Sequence, residues 1–468
     1  GFFISLGRLL SSWFEVIFVA SAQDVKDVII RHLPDAKVLV RTLSQAKKEV
    51  PMQEMLRVEH EYGENLSLLV SKDRAFGHGY LINVDKYPVI KRKFWDDKKK
   101  FSSIIEDFLF YEYLVNQFDP IFSISIIIED IQSLVFKRYG IPTYAIGLSK
   151  FGSRLFWYDN PKYKSKWLEN MLSLALSEAS ITENFNDIEY KKEKSSDFIN
   201  LGVSLTYRST IKSASYQVIR DILRSVGLRP KKVSSYKFAG WVPVIFNRIK
   251  AFRYINKVGV TPNRLKDRKI IYVPLHVEPE VALQNISPEF NNTFEMISWI
   301  TKAAPCDCTI VVKEHLTCLG NRSISYYKRL LSLPNVILAR LDIPSWDWIR
   351  ESKVVATITG TVGIEAVYMK RPVLSYGAHQ LINSLPTVRF VDSYSTTREG
   401  LVEFLNMEPN SAEFLKARMA LHNTLIKSSF SAPDFHRAWK TVILDEELAK
   451  VAIEDLLLRY QHLAQYIK

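Results

Sequence analysis

Two separate series of short apolar runs, each alternating with helical patterns, constrain the fold of this chain more than any other feature. Runs of four to eight residues rich in Val and Ile, bounded by polar segments, are typical of strands buried in a parallel sheet. In the N-terminal third we predict such strands at residues 2–5, 16–20, 36–40, 66–70, 121–128 and 143–146. Helical patterns such as residues 102–118 lie between them. This alternation predicts a doubly wound α/β domain.

A second series begins at Lys269, and its apolar runs again alternate with helical stretches. We predict its strands at residues 270–274, 308–313, 336–339, 354–358 and 373–376. Charged segments of helical period, at residues 164–180 and 213–227, separate the two series and predict a helical insert. Residues 445–467 form an amphipathic pattern, which favours packing against the body of the protein, a membrane surface being the alternative. The apolar face is predicted to hold Leu448, Val451, Ala452, Leu456 and Tyr460.

Length and composition agree with this division. At about 150 residues per domain, 468 residues predict two or three domains. Hydrophobic residues make up 47% and charged residues 24%, which excludes a disordered chain. We expect an N-terminal Rossmann-like domain at 1–155, a helical insert at 156–260, a C-terminal Rossmann-like domain at 261–440, and a final helix at 441–468 that packs back on the first domain.

The charge of the chain points to an anionic partner. Lys and Arg number 63 against 50 Asp and Glu, which gives a net charge of +13. The densest basic run comprises residues 91–93 and 98–100, and a solvated basic face is its favoured interpretation. A non-enzymatic scaffold docked through this run on membrane lipid or nucleic acid is an alternative. The aromatic and basic stripes of an RNA-binding module are missing, so no nucleic acid is expected.

Cysteine usage favours a reducing compartment. The chain has three cysteines, Cys306, Cys308 and Cys318, an odd number without a disulfide framework, so a cytosolic enzyme is the default. The spacing C-x-C lacks the C-x2-C of zinc knuckles, and no metal site is expected. The apolar residues 1–20 are interrupted by Arg8 and Glu15, so we expect neither a membrane-spanning helix nor a secretory signal there.

Several known motifs are missing from the sequence. It contains no G-x-x-x-x-G-K-[ST], no G-x-G-x-x-G, no G-x-S-x-G and no H-E-x-x-H, so P-loop, dinucleotide, serine-hydrolase and zincin chemistries lose their basis. No D-x-D occurs either. The usual device by which a divalent metal holds a sugar-nucleotide diphosphate is therefore missing.

The most informative segment is 354–377. A predicted strand ends at Thr359, Gly360 and Thr361, and a helix is expected to begin near Val362 or Gly363. Hydroxyl groups and backbone N–H groups meeting at a helix N-terminus favour phosphate binding. Glu365, which we expect on the first turn of this helix, is suited to accept hydrogen bonds from a ribose diol. Helix capping alone is the structural alternative.

Two further predicted strands end in titratable side chains. The strand at 270–274 is followed by His276, Glu278 and Glu280. The strand at 308–313 ends with Lys313, and Glu314, His315 and Arg322 follow it. In open α/β sheets, ligands bind outside the carboxyl ends of the strands. The three strand ends are therefore predicted to meet in one cleft.

The order and spacing of these residues resemble the bacterial capsule-polysaccharide biosynthesis family, which includes the Kdo transferases that use CMP-Kdo. The resemblance covers residues 269–377. It rests on Pro274-Leu-His-Val-Glu-Pro-Glu280, Lys313-Glu-His315, Gly320, Arg322, Tyr326-Tyr327, Pro334-Asn-Val336, Thr357-Ile-Thr-Gly-Thr-Val-Gly-Ile-Glu-Ala366, Lys370-Arg-Pro-Val373 and Gly377. The first domain is similar more loosely, through Asp73-Arg74, Glu129, Gly140-Ile-Pro142 and Ser153-Arg154.

The resemblance implies a GT-B glycosyltransferase with the donor in the C-terminal domain, the acceptor against the N-terminal one, and no required metal or cofactor. His315 stands where the family has the His of a His-Pro pair that contacts the CMP phosphate, although Leu316 replaces the proline here. Glu365 would bind the ribose. The other implied donor-binding residues are Lys313, Arg322, Thr359, Gly360, Thr361 and Gly363. The implied acceptor-binding residues are Asp73, Arg74 and Arg154.

Glycosyl transfer needs a carboxylate near the anomeric carbon, as nucleophile or as base. Glu280 and Glu129 are the candidates, followed by Glu278. The predicted function is transfer of an ulosonic sugar from a CMP-sugar to an oligosaccharide or glycolipid acceptor in bacterial surface polysaccharide synthesis. A UDP- or GDP-sugar transferase or an epimerase is the alternative. We expect a cytoplasmic location, with peripheral contact with the inner membrane kept open.

Overall fold

The computed structural model describes most of the chain. The described residues are 1–41, 49–73, 76, 95–149, 153–178, a few positions between 215 and 226, 238–278, 281–408, 411–433 and 444–466.

The N-terminal half alternates short strands with helices. Its elements are α1 (Phe2–Leu10), β1 (Ile17–Ala20), α2 (Gln23–His32), β2 (Lys37–Val40), α3 (Met52–Tyr62), α4 (Leu66–Lys72), α5 (Asp97–Phe118), β3 (Ser123–Ser125), α6 (Asp130–Arg138), β4 (Thr143–Leu148), β5 (Arg154–Tyr158) and α7 (Lys166–Glu178).

The C-terminal half repeats the alternation of strands and helices. Its elements are α8 (Phe238–Val258), β6 (Lys269–Pro274), α9 (Val281–Ile286), α10 (Thr293–Ala303), β7 (Cys308–Lys313), α11 (Ile324–Leu331), β8 (Val336–Leu338), α12 (Ser345–Glu351), β9 (Val354–Thr357), α13 (Thr361–Tyr368), β10 (Val373–Ser375), β11 (Val388–Phe390), α14 (Tyr394–Leu405), α15 (Ala412–Lys427), β12 (Phe430–Ser431) and α16 (Glu446–Arg459).

The C-terminal half is built on one parallel sheet. Six strands pair in the order β11-β10-β9-β6-β7-β8, and every pairing is parallel. Read from β8, this is the Rossmann order, in which the chain reverses direction across the sheet between β6 and β9. Apolar side chains fill both faces, so the strands are continuous Val and Ile runs without polar alternation. The reversal point defines where a ligand cleft is expected.

The N-terminal half holds two smaller sheets. Strands β1 and β2 form a parallel pair, and β12, β5, β4 and β3 form a mixed sheet in that order. The α/β class and the two separate strand-helix series are therefore confirmed, while the first series is split between two sheets. The domain boundaries given by the sequence stay predictions.

The C-terminal segment crosses back to the N-terminal half. Strand β12 pairs antiparallel with β5, and α16 then packs against α1. The indole Nε1 of Trp157 donates to the carbonyl oxygen of Ala452 at 3.0 Å, within an apolar cluster that holds Leu6 and Leu456. The predicted apolar face of α16 is correct at Leu456 but wrong at Val451, which is 40% exposed.

Two predicted strands are helices. Residues 2–5 belong to α1, and residues 66–70 belong to α4. In α4 the buried side chains are Leu66, Leu69 and Val70, the spacing of a helix face, and they pack in the cluster around α5. The apolar run was too short to distinguish a strand from one stripe of a helix, and the tertiary contacts decide for the helix.

The basic run is largely paired where it is described. Lys98 bonds to Glu49, Lys100 lies 3.1 Å from Asp97, and Lys99 lies over the ring of Trp95. Residues 91–93, residues 179–214 of the predicted insert and most of its predicted helix at 213–227 lie outside the described residues. No helix in the described part of the chain is long and apolar enough to cross a membrane.

Candidate functional site

His276 joins the two strand ends at the reversal point of the C-terminal sheet. Its Nε2 lies 2.9 Å from the carbonyl oxygen and 3.1 Å from the amide nitrogen of Thr359, and 3.1 Å from Oγ1 of Thr357. Burial lowers the pKa of His276 to about 4, so the ring is neutral at pH 7. One neutral ring therefore fixes the loop after β6 against the loop after β9.

The turn from β9 into α13 needs glycine at two positions. Gly360 has φ 101°, a left-handed conformation that side chains other than glycine rarely adopt. At Gly363 an added Cβ would lie 2.6 Å from Cδ1 of Ile382, so the first turn of α13 lies directly against the following loop. No side chain caps α13, and its first N–H groups lie at the mouth of the cleft beside Thr361.

Glu365 lies one or two residues further into α13 than the sequence predicts. The helix begins at Thr361, and its first turn holds no acidic residue, so Glu365 lies on the second turn. Glu365 is 3% exposed, and its charge contributes to the raised pKa of Tyr272 in β6. Its carboxylate therefore lies on the buried side of α13, toward β6.

A buried ion network holds the ends of β6 and β7. The Arg322 guanidinium donates through Nη1 to Oε1 of Glu314 at 2.6 Å and through Nη2 to the carbonyl oxygen of His276 at 2.5 Å. It also lies 3.4 Å from Oε2 of Glu278, whose Oε1 accepts from Thr293 at 2.6 Å. Burial raises the pKa of Glu278, and the nearby Arg322 charge opposes that rise. Arg322 thus holds the loops after β6 and β7 together.

Lys313 also bonds within the protein. Its Nζ donates to the carbonyl oxygen of Ile343 at 2.7 Å, in the loop after β8, and burial lowers its pKa to about 8. His315 follows two residues later with an exposed side chain. The backbone N–H of His315 donates to Oε1 of Glu314 at 2.6 Å, which ties it to the Arg322 network. Donor-binding roles for Lys313, Arg322 and His315 stay predictions.

A second polar cluster lies in the N-terminal half, around Glu129. The Arg41 guanidinium donates to Oε2 of Glu129 at 2.5 Å and to the Tyr111 hydroxyl at 2.7 Å, and it pairs with Asp107 at 2.8 Å. Burial raises the pKa of Asp107, and the charges of Glu129 and Asp73 add to that rise. The structure therefore brings Glu129 and Asp73 into one cluster.

The remaining predicted residues fall into two groups. Glu280 and Arg74 lie outside the described residues. The helix α9, which begins directly after Glu280, contacts α4, which ends just before Asp73. Arg154 lies apart from this region: it donates to Oγ of Ser429 at 2.8 Å, where the chain returns to the N-terminal half. An acceptor-binding role for Arg154 stays a prediction.

Sequence reasoning assigned no role to His276, Arg41 or Tyr111. His276 carried a signal, since it follows a buried strand directly, but its bond to Thr359 depends on two strands adjacent only in the folded sheet. Arg41 and Tyr111 are separated by 70 positions. Pairing at that separation leaves no local pattern.

The fold and the cleft define an α/β protein whose C-terminal sheet has the Rossmann order and places an uncapped helix N-terminus and a buried carboxylate at its reversal point. Residues 231–380 match the model of the family described as capsule polysaccharide biosynthesis protein. The resemblance found in the sequence is therefore confirmed by the family model for this segment, which makes up about a third of the chain. No curated protein sequence matches the chain significantly.

Solved structures give weaker likenesses. The β-Kdo 2,7-transferase KpsC of Thermosulfurimonas dismutans is 14% identical over 82% of this chain and 89% of its own, with a TM-score of 0.30. A putative UDP-N-acetylglucosamine 2-epimerase of Listeria monocytogenes is 12% identical over 87% of this chain and 92% of its own, with a TM-score of 0.26. At such scores neither likeness bears on activity.

Proposed function

We propose that the protein is a glycosyltransferase that moves an ulosonic sugar, Kdo or a related one, from a CMP-sugar to a saccharide acceptor in bacterial surface polysaccharide synthesis. The observation that carries this proposal is the meeting of the uncapped α13 N-terminus, Thr359, Thr361 and Glu365 at the reversal point of the sheet. This site lies within the segment that matches the model of the capsule family.

Each part of the donor has a suitable partner. The phosphate would accept hydrogen bonds from the N–H groups at the start of α13 and from the Thr361 hydroxyl, since a helix N-terminus favours anions. The ribose diol would donate to the carboxylate of Glu365. The hydrogen bond from His276 to the carbonyl oxygen of Thr359 holds the loop that leads into α13. His315, on the adjacent strand end, would lie on the phosphate or sugar side.

Transfer joins the acceptor oxygen to the anomeric carbon and breaks the bond between that carbon and the phosphate oxygen. CMP leaves with the bonding electrons, and the acceptor proton passes to a carboxylate. We assign this base, or the nucleophile of a two-step retaining reaction, to Glu280, with Glu129 on the acceptor side and Glu278 as a further candidate. No cofactor or metal is assigned, because the sequence lacks the D-x-D device.

The identity of the bound nucleotide is tested by thermal denaturation of the protein with CMP, UDP or GDP. We expect CMP to raise the melting temperature and UDP and GDP to raise it less. In Glu365→Ala the CMP effect should be weaker, because a lost hydrogen bond to the ribose costs on the order of 1 kcal/mol of binding free energy. Glu454→Ala, an exposed carboxylate on α16, is the matched control. Preferential protection by UDP would reject the CMP donor, and an unchanged CMP effect in Glu365→Ala would reject the ribose contact.

A further inference from the structure

A pocket of about 600 Å³ lies in the N-terminal half, between one face of α6 and the loop after β5. It has the volume of a small-molecule binding site. Its walls include Asp130, Ser133 and Lys137 of α6, and Asp159 and Lys162 of the loop. None of these five residues is among the site residues that the sequence predicts.

The α6 wall presents a row of different polar groups. Residues 130, 133 and 137 lie on one face of the helix, because residues three and four positions apart are neighbours there. At 1.5 Å of rise per residue, the row extends about 10 Å from Asp130 to Lys137. Within the described part of the chain, the Ser133 hydroxyl and the Lys137 ammonium bond to no other group. They are available to a ligand.

The opposite wall is ordered by contacts with the rest of the protein. The Asp159 carboxylate accepts from the Tyr460 hydroxyl at 3.2 Å and from Nδ2 of Asn160 at 3.1 Å. Lys162 donates through Nζ to Nε2 of His379 at 2.7 Å. His379 lies in the loop after β10 of the C-terminal sheet, so this wall is joined directly to the donor half.

On the α6 side, contacts through α4 link the pocket to the helix that follows Glu280. Lys72, the last residue of α4, bonds to Asp130 at 2.6 Å. Helix α4 contacts α9, the helix that begins directly after Glu280. The pocket is therefore connected to the loops that follow β6 and β10, and both strands belong to the sheet whose reversal point holds the proposed nucleotide site.

The chemistry of the walls selects the class of ligand. Among the described residues that line the pocket there is no aromatic ring for a base to stack on and no arginine for bidentate phosphate binding. Alternating carboxylate, hydroxyl, amide and ammonium groups match a ligand with many hydroxyls. The aliphatic surfaces of Leu134, Ile141 and Pro161 suit its C–H faces. A carboxylate on the ligand would pair with Lys137.

From this arrangement we infer that the α6 pocket is the binding site for the saccharide acceptor and takes about two sugar residues, with an acidic sugar at Lys137. The inference rests on the proposed transferase function. It moves acceptor recognition from Arg154 to α6. The donor site and this pocket are separate, so the two ligands are expected to bind without competing.

The test is a titration of the full chain with a Kdo disaccharide, measured by isothermal titration calorimetry. The matched variants are Lys137→Glu in the pocket and Lys416→Glu on the exposed face of α15. We expect Lys137→Glu to weaken disaccharide binding at least tenfold, and Lys416→Glu to leave it unchanged. CMP affinity should stay the same in both variants, because neither residue touches the nucleotide site.

The inference would be overturned by disaccharide binding that Lys137→Glu does not change, or by no disaccharide binding to a wild-type chain that binds CMP. Competition between CMP and the disaccharide would also overturn it, because it would place both at one site. Disaccharide binding that depends on Lys137, in a chain that does not bind CMP, would support the pocket and reject the CMP donor. The inference and the proposed function therefore fail in distinguishable ways.

Discussion

At the scale of single residues, the cleft combines buried groups that hold its shape with groups that are exposed at its edge. His276 and Arg322 are buried, and their hydrogen bonds hold the loops that follow the strands. His315 and Gly360 are exposed at the same edge of the sheet. The buried set is expected to affect stability first, and the exposed set is expected to affect binding first.

The chemical step is tested at Glu280. Glu280→Gln keeps the shape of the side chain but removes its capacity to act as nucleophile or base. We expect turnover to fall by several orders of magnitude while CMP affinity stays unchanged. The measurement is CMP release in steady-state kinetics, combined with CMP calorimetry on the same variant. Glu129→Gln should give a smaller loss that appears only with acceptor present. Turnover close to wild type in Glu280→Gln would move the assignment to Glu129 or Glu278.

Removal of Arg322 is expected to destabilise the fold. Arg322→Met leaves the carboxylates of Glu314 and Glu278 buried without their cation, which typically costs about 3–5 kcal/mol. Urea denaturation measures the loss. Adding Glu314→Gln should restore part of it, because one unpaired charge is then removed. Arg389→Met is the control, since Arg389 pairs with Glu399 and Glu403 at a partly exposed site and should cost about 1 kcal/mol or less. Equal losses in the two single variants would contradict the account.

At the scale of elements, the return of α16 to the N-terminal half is expected to contribute much of that half's stability. Leu456→Ala should cost about 2–5 kcal/mol of unfolding free energy, because Leu456 is 1% exposed in the cluster with Trp157. Leu458→Ala on the same helix is the control, at 70% exposure, and should change stability by about 0.5 kcal/mol or less. Thermal or urea denaturation compares them. Similar losses in both variants would contradict the docking of α16.

The elements that the sequence predicted well are those whose pattern is complete within the element. Strands β7 and β9 are apolar on both faces and end in polar loops, so a short window identifies them. The region of α1 was misread because the short, mostly apolar run at 2–5 also fits the start of a helix. Its helical character depends on contacts with α16, some 440 positions away, which no local pattern records.

The part of the candidate site that could be predicted is the part whose residues are adjacent in the sequence. Thr359, Gly360 and Thr361 are adjacent in sequence, and the sequence indicated the strand-to-helix turn that holds them. The pairing of Arg322 with Glu314 and Glu278, and the α6 pocket, depend on tertiary packing. A residue in a strand-end loop can face a ligand or a buried partner, and only the folded contacts distinguish the two.

At the scale of the whole molecule, the halves are joined at several places besides the return of α16. Arg154 bonds to Ser429 where the chain returns, Lys162 bonds to His379, and α4 packs against α9. The C-terminal sheet supplies the proposed donor site, and α6 supplies the proposed acceptor pocket. Transfer between two ligands held on different halves is the arrangement that this account requires.

The central claim is that a cytidine nucleotide binds at the reversal point of the C-terminal sheet. A crystal structure of the protein soaked with CMP tests it most directly. The account predicts density with the phosphate at the N-terminus of α13, near Thr361, and the ribose within hydrogen-bond distance of Glu365. Nucleotide density at another place, or an empty reversal point at a CMP concentration that protects the protein thermally, would contradict it.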